Sequence, residues 1–273
     1  MSDQSLVGKL ARIDRRMLYV LLVVALSIPI LQPMGLPLTL GKETKDTYDA
    51  LERVPSGGNV LLLTEIAAYL FPELGPQVIA LSQHCFNKKL KVVYVSFRQV
   101  EGPTILESLV LTKVDFRGAK YGEDYVNLGY FAGLEISMAA FASNIHALVK
   151  EDFRKNPLEK LPLMANLKTA KDFQFIIIIG VADEPIRQFG PYGVTTVVAT
   201  YAVVAPEVYP YYASGQVKGI LVGVRGAAEY EQLVKRPYLA TASMDAISMS
   251  HVLVLVLILI GNIGYLYETR RKK

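Results

Sequence analysis

Apolar residues form one long run near each end of the chain and a series of short runs between them. The last long run, 247–267, holds 21 residues, none of which is charged. At about 1.5 Å per residue, a helix of this length extends roughly 31 Å, which matches the hydrocarbon core of a bilayer. The pattern predicts a membrane-spanning helix over 245–267, followed by a basic tail over 268–273.

The first long run, 17–31, follows a polar segment, 1–16. That segment carries four basic residues, Lys9, Arg12, Arg15 and Arg16. A basic segment before an apolar run is typical of a signal sequence or a signal anchor. No small-residue cleavage site follows, so we expect an uncleaved first span with its interface segment over 17–40. A cleaved signal, leaving a single carboxy-terminal anchor, is the alternative.

The basic residues at both ends predict the orientation of the chain. Cytoplasmic segments next to membrane spans are enriched in Lys and Arg, so the tails 1–16 and 268–273 are both expected in the cytoplasm. The segment between the spans, 41–244, is then extracytoplasmic, and the cleaved alternative places it on the same side. The expected localisation is the cell membrane.

The segment 41–244 contains short apolar runs rich in Val and Ile without polar alternation. Such runs suit strands that are covered on both faces, as in parallel sheets. The predicted strands are 60–63, 92–97, 175–181, 194–200 and 220–224, with 125–130 as a weaker sixth. Helical patterns alternate with them over 73–87, 103–113, 132–150, 206–213 and 226–235. The alternation predicts an α/β fold with an open, mostly parallel, doubly wound Rossmann-like sheet, inserted between the two transmembrane helices.

Composition narrows the class of function. The 273 residues are 52% hydrophobic, and the formal net charge is +4. The segments 1–16 and 267–273 together hold eight basic and three acidic residues, whereas the rest of the chain holds 21 basic and 22 acidic residues. Nucleic-acid binding requires a clustered basic face, so no nucleic-acid partner is expected. A single cysteine, Cys85, excludes an internal disulfide.

Ligands of open parallel sheets usually bind outside the carboxyl ends of the strands. At these ends the sequence places four candidate ligand-binding residues, Glu65, Asp183, Arg225 and Gly226. The turn 223–228 is the most suggestive, because a glycine-containing strand-to-helix turn can direct backbone N–H groups at an anion. It lacks the full G-x-G-x-x-G pattern, and close helix–strand packing is the simpler explanation, so no cofactor is predicted.

The sequence names no catalytic residue. The three histidines, His84, His146 and His251, are scattered, so no metal site is predicted. No G-x-S-x-G elbow occurs, although a dispersed Ser–His–Asp triad stays open. The acidic pairs at 183–184 and 229/231 are explained either as a catalytic pair in the crevice or as solvated charges at helix starts.

The second predicted span contains Asn262 between Gly261 and Gly264. Small residues permit close helix approach, and an Asn amide can hydrogen-bond across helices. These residues predict helix association, either with the first span or with another subunit. Besides the lipid bilayer, the expected partner is therefore a second copy or another membrane protein.

Three groups of residues carry a resemblance to a known family. They are 120–126 with 128–130, 210–212 through 216 to 226–231, and 244–246 leading into the last span. These stretches resemble an uncharacterised prokaryotic family of two-span membrane proteins with an external Rossmann-like α/β domain. The family has no assigned activity, so the resemblance implies an architecture and no catalytic residues. The stretch 214–219 is also loosely similar to periplasmic solute-binding receptors, whose two-lobed plan this chain lacks.

Two functional hypotheses follow. In the first, the chain is a non-enzymatic, membrane-anchored extracytoplasmic domain that acts as an assembly or interaction component, in an oligomer. In the second, it is a small-ligand-binding or hydrolytic domain with a pocket beside Glu65, Asp183 and Arg225. A crevice in which these three side chains converge favours the second hypothesis.

Overall fold

The structure, a computed structural model, describes residues 14–271, without the side chains of residues 268, 270 and 271. Lys9, Arg12, Lys272 and Lys273 of the two predicted basic tails lie outside the described residues. The described chain divides into two compact units. A helical unit comprises 14–37 and 237–271, and an α/β unit comprises Leu38–Arg236.

Six strands form one parallel sheet in the α/β unit. They are β1 (Asn59–Thr64), β2 (Lys91–Ser96), β3 (Tyr125–Tyr130), β4 (Phe175–Ile179), β5 (Thr195–Thr200) and β6 (Ile220–Val222). Apart from single terminal residues, all strand positions are buried, as continuous apolar runs require. The strand order is β3-β2-β1-β4-β5-β6, which is the doubly wound Rossmann-like order, and its direction reverses between β1 and β4. The predicted α/β fold is confirmed, including the weaker sixth strand.

Eight helices cover or flank this sheet. They are α2 (Lys42–Glu52), α3 (Phe71–Asn87), α4 (Gly102–Ile105), α5 (Glu135–Ser143), α6 (Ile145–Leu148), α7 (Asp183–Phe189), α8 (Ala205–Ala213) and α9 (Gly223–Leu233). The helix α4 continues as a π-helical turn, Leu106–Val110, and a 3₁₀ turn, Leu111–Lys113. The predicted helix 132–150 is divided in two, because Asn144 is extended and its side chain caps α6.

The sequence did not predict α2, because its charged residues conceal a buried face of small and polar side chains. This face packs beside the edge strand β6. The close approach depends on Gly219, where an added Cβ atom would lie 2.3–2.5 Å from the Oγ1, N and Cα atoms of Thr47. At the opposite edge, the backbone N–H of Phe153 donates to the carbonyl of Asn127 in β3 over 2.9 Å. Both sheet edges are thus partly covered by other segments.

The helical unit contains α1 (Arg15–Leu31) and α10 (Leu239–Arg271), which pack against each other. Among the described residues, only the segment 239–267 is long and apolar enough to cross a membrane, and its most apolar stretch of 18 residues has a mean hydropathy of 2.3. This helix begins six residues before the predicted start at 245. The first predicted span is the 17-residue α1, about 25 Å long, so insertion of the sheet between two spans is not shown.

Asp245 lies near the start of α10 and is buried. It accepts hydrogen bonds from the backbone N–H groups of Met34, Gly35 and Leu36, over 2.7, 2.8 and 2.9 Å. The end of α1 is therefore held near the start of α10, and the two packed helices run in opposite directions.

The three residues predicted to mediate helix association face different surroundings. Gly264 is buried within the described chain, whereas Gly261 and Asn262 are exposed. The Asn262 amide donates to the carbonyl of Ile258 in its own helix over 2.9 Å. An added Cβ atom at Gly261 would meet no atom within 4 Å. The exposed pair is thus available for contacts outside the described chain.

Candidate functional site

At the carboxyl edge of the sheet, Glu65 directly follows β1 and is buried. Its carboxylate accepts the backbone N–H groups of Phe97, Arg98 and Gln99, over 2.7, 2.8 and 3.0 Å. The hydroxyl of Ser96 also donates to it over 2.9 Å. Glu65 therefore holds the turn after β2 to the end of β1.

The protonation of Glu65 reflects two opposing effects. Burial raises the pKa of its carboxyl group, while the three backbone donors and Ser96 favour the ionised form and limit the rise. A raised pKa in a cleft is typical of a general acid. Here, however, both carboxylate oxygens are engaged by donors of the chain itself. This arrangement fits a structural role for the carboxylate.

The neighbouring polar pair is Arg98 and Glu184. The Arg98 guanidinium forms an ion pair with Glu184, which lies in the first turn of α7 beyond the end of β4. Because Arg98 also donates its backbone N–H to Glu65, this residue connects the turns that follow β1, β2 and β4. These turns surround the point where the strand order reverses, which is where such folds usually bind ligands.

Asp183 is half-exposed at the start of α7. It contacts the hydroxyl of Tyr211 and the guanidinium of Arg187. These two contacts, that of Tyr211 first, hold the pKa of Asp183 below its usual value. Asp183 and Tyr211 line a small cleft of about 230 Å³ between the ends of β4 and β5.

Arg225 and Gly226 lie in the first turn of α9, after β6. The Nε of Arg225 donates to Glu229 in the same helix over 2.9 Å, and its Nη2 donates to the carbonyl of Thr39 over 3.4 Å. Both residues line a cleft of about 390 Å³ together with Glu43 and Glu73. An added Cβ atom at Gly226 would lie 3.1–3.2 Å from the backbone of Leu221, so this glycine permits close helix–strand packing.

The Glu73 carboxylate lies between the turn after β5 and the turn before α9. The Glu73 carboxylate accepts the backbone N–H of Ala202 over 2.9 Å, and an added Cβ atom at Gly223 would lie 2.9 Å from its Oε2. The amide of Gln77 donates to the carbonyls of Thr200 and Gly223, both over 3.0 Å. The turns after β5 and β6 are thereby fixed to α3.

The three side chains predicted to form one pocket bind different partners. Glu65 is bound by the turn after β2, Asp183 by Tyr211 and Arg187, and Arg225 by Glu229. Three strand intervals separate β1 from β6, which amounts to roughly 14 Å at the usual strand spacing. Their described contacts do not unite them in one crevice.

The remaining candidate chemistry is buried in the packing of helices. The Nδ1 of His84 lies 2.7 Å from the Tyr230 hydroxyl, and its Nε2 lies 2.8 Å from Glu52. Its ring stacks on Tyr48 at 4.6 Å. The next residue, Cys85, is fully buried, which raises the pKa of its thiol to about 12. Within residues 14–271, no three His, Cys, Asp or Glu side chains are grouped to hold a metal ion.

The sequence did not single out a group of exposed apolar side chains at the same edge. Tyr69, Val100 and Val203 follow β1, β2 and β5, and their exposed fractions are 77%, 72% and 82%. Each lies three to five residues beyond a strand end, and Tyr69 and Val203 lie in short 3₁₀ turns. Helical and strand periodicity cannot detect such residues, because these turns are shorter than the windows in which a period is recognised.

Comparisons with known proteins show no relationship that assigns a family. No protein-family model matches the chain, and no curated protein matches it. Among solved structures, a trehalose-6-phosphate synthase, OtsA, is similar with a TM-score of 0.29 and 12% identity. The match covers 90% of this chain and 49% of the synthase, so the chain spans about half the length of that protein.

Proposed function

We propose that this chain is a membrane-anchored α/β domain that acts as an assembly or interaction component of a membrane complex. The observation that carries this proposal is that Glu65, Asp183 and Arg225 are each bound by separate groups of the same chain. Polar groups held in this way stabilise turns and offer no convergent set for catalysis. The domain is accordingly proposed to be non-enzymatic.

The proposed anchor is a two-span hairpin of α1 and α10. Both helices expose large apolar side chains along most of their length, including Val20, Val23, Leu255 and Leu259. Exposed apolar surface of this extent is unfavourable in water and favourable in lipid. The resemblance to the two-span prokaryotic family is part of the same proposal.

The proposed orientation places both ends of the chain in the cytoplasm and the α/β unit outside it. The basic residues before α1 and after α10 support this orientation. A protease added to intact cells or spheroplasts should cleave the α/β unit, whereas sealed inverted vesicles should protect it. The reverse pattern would contradict the orientation.

The proposed assembly is tested by the mass of the particle purified in mild detergent. We expect a mass of at least two chains, or of this chain with a stoichiometric partner. The exposed Gly261 and Asn262 are proposed to contribute, so Gly261→Leu should reduce the assembled fraction, while Thr269→Val in the same helix should not. A monomer under all mild detergent conditions would contradict the proposal.

The second candidate function is binding of a small ligand. The cleft of about 390 Å³ beside Arg225 and Gly226 favours it, since its volume lies in the range of small-ligand sites. A panel of organic acids, amino acids and nucleotides should then raise the melting temperature of the wild-type protein, and Arg225→Ala should abolish the increase. No increase with any compound would count against this candidate.

A further inference from the structure

The carboxyl edge of the sheet displays an apolar surface formed by Tyr69, Val100 and Val203, here called the apolar platform. The three side chains come from the turns after β1, β2 and β5, and each is more than 70% exposed. Exposed large apolar groups brought together from separate turns are a common feature of interaction sites. The α/β unit has no need of them for its own core, because the strand residues on both faces of the sheet are already buried.

The turns that carry the platform are tied to one another by hydrogen bonds. The Glu101 carboxylate, next to Val100, accepts the backbone N–H of Ala68, next to Tyr69, over 2.9 Å. The Glu73 carboxylate, near Tyr69 in the chain, accepts the N–H of Ala202, next to Val203, over 2.9 Å. The three side chains therefore belong to one connected region of the edge.

Tyr201 provides a second, independent sign that this region is continuous. Burial and then the neighbouring Tyr69 raise its pKa, and the charges of Arg98 and Glu207 also act on it. Arg98 lies two residues before Val100 and Glu207 four residues after Val203, so both belong to the border of the platform.

The platform is also rigidly supported. Glu65 is buried and binds three consecutive N–H groups of the turn that leads to Val100. Gln77 binds the carbonyl of Thr200 at the start of the turn that leads to Val203. A surface ordered before binding loses little conformational entropy when a partner binds.

The charge around the platform selects the partner. In the segments 65–73, 97–101 and 201–209 the surface charges are those of the exposed Glu101 and Glu207, the half-buried Glu73, and one basic residue, Arg98. Arg98 is already paired with Glu184. The border of the platform is therefore negatively charged, which disfavours an anionic lipid surface. It also disfavours a two-fold contact with the same surface of a second copy, because like charges would meet.

We infer that the apolar platform docks a segment of another protein that presents apolar side chains flanked by Lys or Arg. The inference rests on the proposed role as an interaction component and specifies its surface. Apolar contacts at the platform supply affinity, and basic residues of the partner pair with Glu101 and Glu207. Burial of the partner's apolar residues is the main favourable contribution.

The test is site-specific photo-cross-linking of the full-length chain in membranes of its native cells. Benzoyl-phenylalanine is placed at position 69, 100 or 203, and at the exposed position Leu109 as a matched control. We expect cross-links at the three platform positions at least tenfold above the control. Sequencing of the linked peptide should identify one protein, with Lys or Arg beside the linked residues.

A charge reversal separates this inference from simple apolar contact. Glu207→Lys should lower the cross-linking yield at position 203 at least threefold, while Glu159→Lys, also exposed, should leave it unchanged. Cross-links to lipid, to a second copy, or to acidic segments would overturn the inference, as would yields no higher than at Leu109. If the particle mass still shows an assembly in that case, the proposed function stands and only the docking surface is wrong.

Discussion

The carboxylate of Asp245 accepts a 2.8 Å hydrogen bond from the backbone N–H of Gly35, although 210 residues separate the two in the chain. Gly35 adopts a φ of +66°, which allows its N–H and those of its neighbours to point at one anion. The helical unit thus uses an internal carboxylate to close its hairpin. In the α/β unit, the carboxylates of Glu65 and Glu73 likewise hold turns in place by accepting backbone N–H groups.

Replacement of Asp245 should open this hairpin. Asp245→Asn removes the charge and leaves one oxygen for three donors, so we expect a loss of about 1.5–3 kcal/mol in the free energy of unfolding of the helical unit. The opening of the hairpin is measured by the efficiency of cross-linking between one cysteine placed at the end of α1 and one placed at the start of α10. Asp14→Asn, at the exposed start of α1, is the control and should leave the cross-linking efficiency unchanged. Equal efficiency in both variants would contradict the role of Asp245.

Glu65 should prove to be a structural residue. Glu65→Gln cannot accept all four hydrogen bonds, so the free energy of unfolding of the α/β unit should fall by about 1–3 kcal/mol. Amide hydrogen exchange should increase at Phe97, Arg98 and Gln99 in particular. The exposed Glu159→Gln variant should change neither quantity. Unaltered stability and exchange in Glu65→Gln would indicate that the carboxylate serves another purpose.

The stability of the α/β unit should fall in acid through His84. Burial lowers the pKa of His84 below its usual value of 6.5, so the unfolded chain binds this proton more readily than the folded chain. The contribution of neutral His84 to the free energy of unfolding is then fully present above about pH 6.5 and decreases as the pH falls below that value. Lys88 and then His84 lower the pKa of Glu52 to about 2, so a second loss of stability is expected as the pH falls from 4.5 to 2.

Denaturant unfolding at several pH values measures this dependence. The groups that face His84 are Tyr48 and Glu52 of α2, Lys88 directly after α3, and Tyr230 of α9. In His84→Gln the slope of stability between pH 6.5 and 5 should become flatter. His251→Gln, at an exposed position, should retain the wild-type slope. A steep slope in both variants would assign the effect to another group.

Two glycines should respond in opposite ways to the same added methyl group. In Gly219→Ala the new Cβ atom meets the backbone of Thr47, and overpacking should cost about 1–3 kcal/mol or more. In Gly190→Ala no atom lies within 4 Å, so the substitution should be neutral or stabilise by about 0.4–1 kcal/mol. Thermal unfolding of the two variants compares them. Similar melting temperatures would show that α2 does not pack closely on β6.

The strands were predictable because each is a continuous run of apolar residues that must be covered on both faces. The helices α2 and α7 were not, since α2 buries Thr44 and Thr47 together with only two apolar residues, and α7 is two turns long. Of the candidate site, the sequence placed Glu65, Asp183 and Arg225 correctly at strand ends. It could not reveal that each has its own partner.

The sequence by itself determined the parallel sheet and the apolar helix near the carboxyl terminus, because a strand covered on both faces and a long apolar helix each appear as a local pattern of consecutive residues. Only the tertiary structure decided that Asp245, Glu65 and Glu73 bind backbone N–H groups of distant turns, and that the turns carrying Tyr69, Val100 and Val203 are connected by hydrogen bonds. A hydrogen bond or a surface contact between separate turns depends on how the strands are ordered, and no local spacing records it.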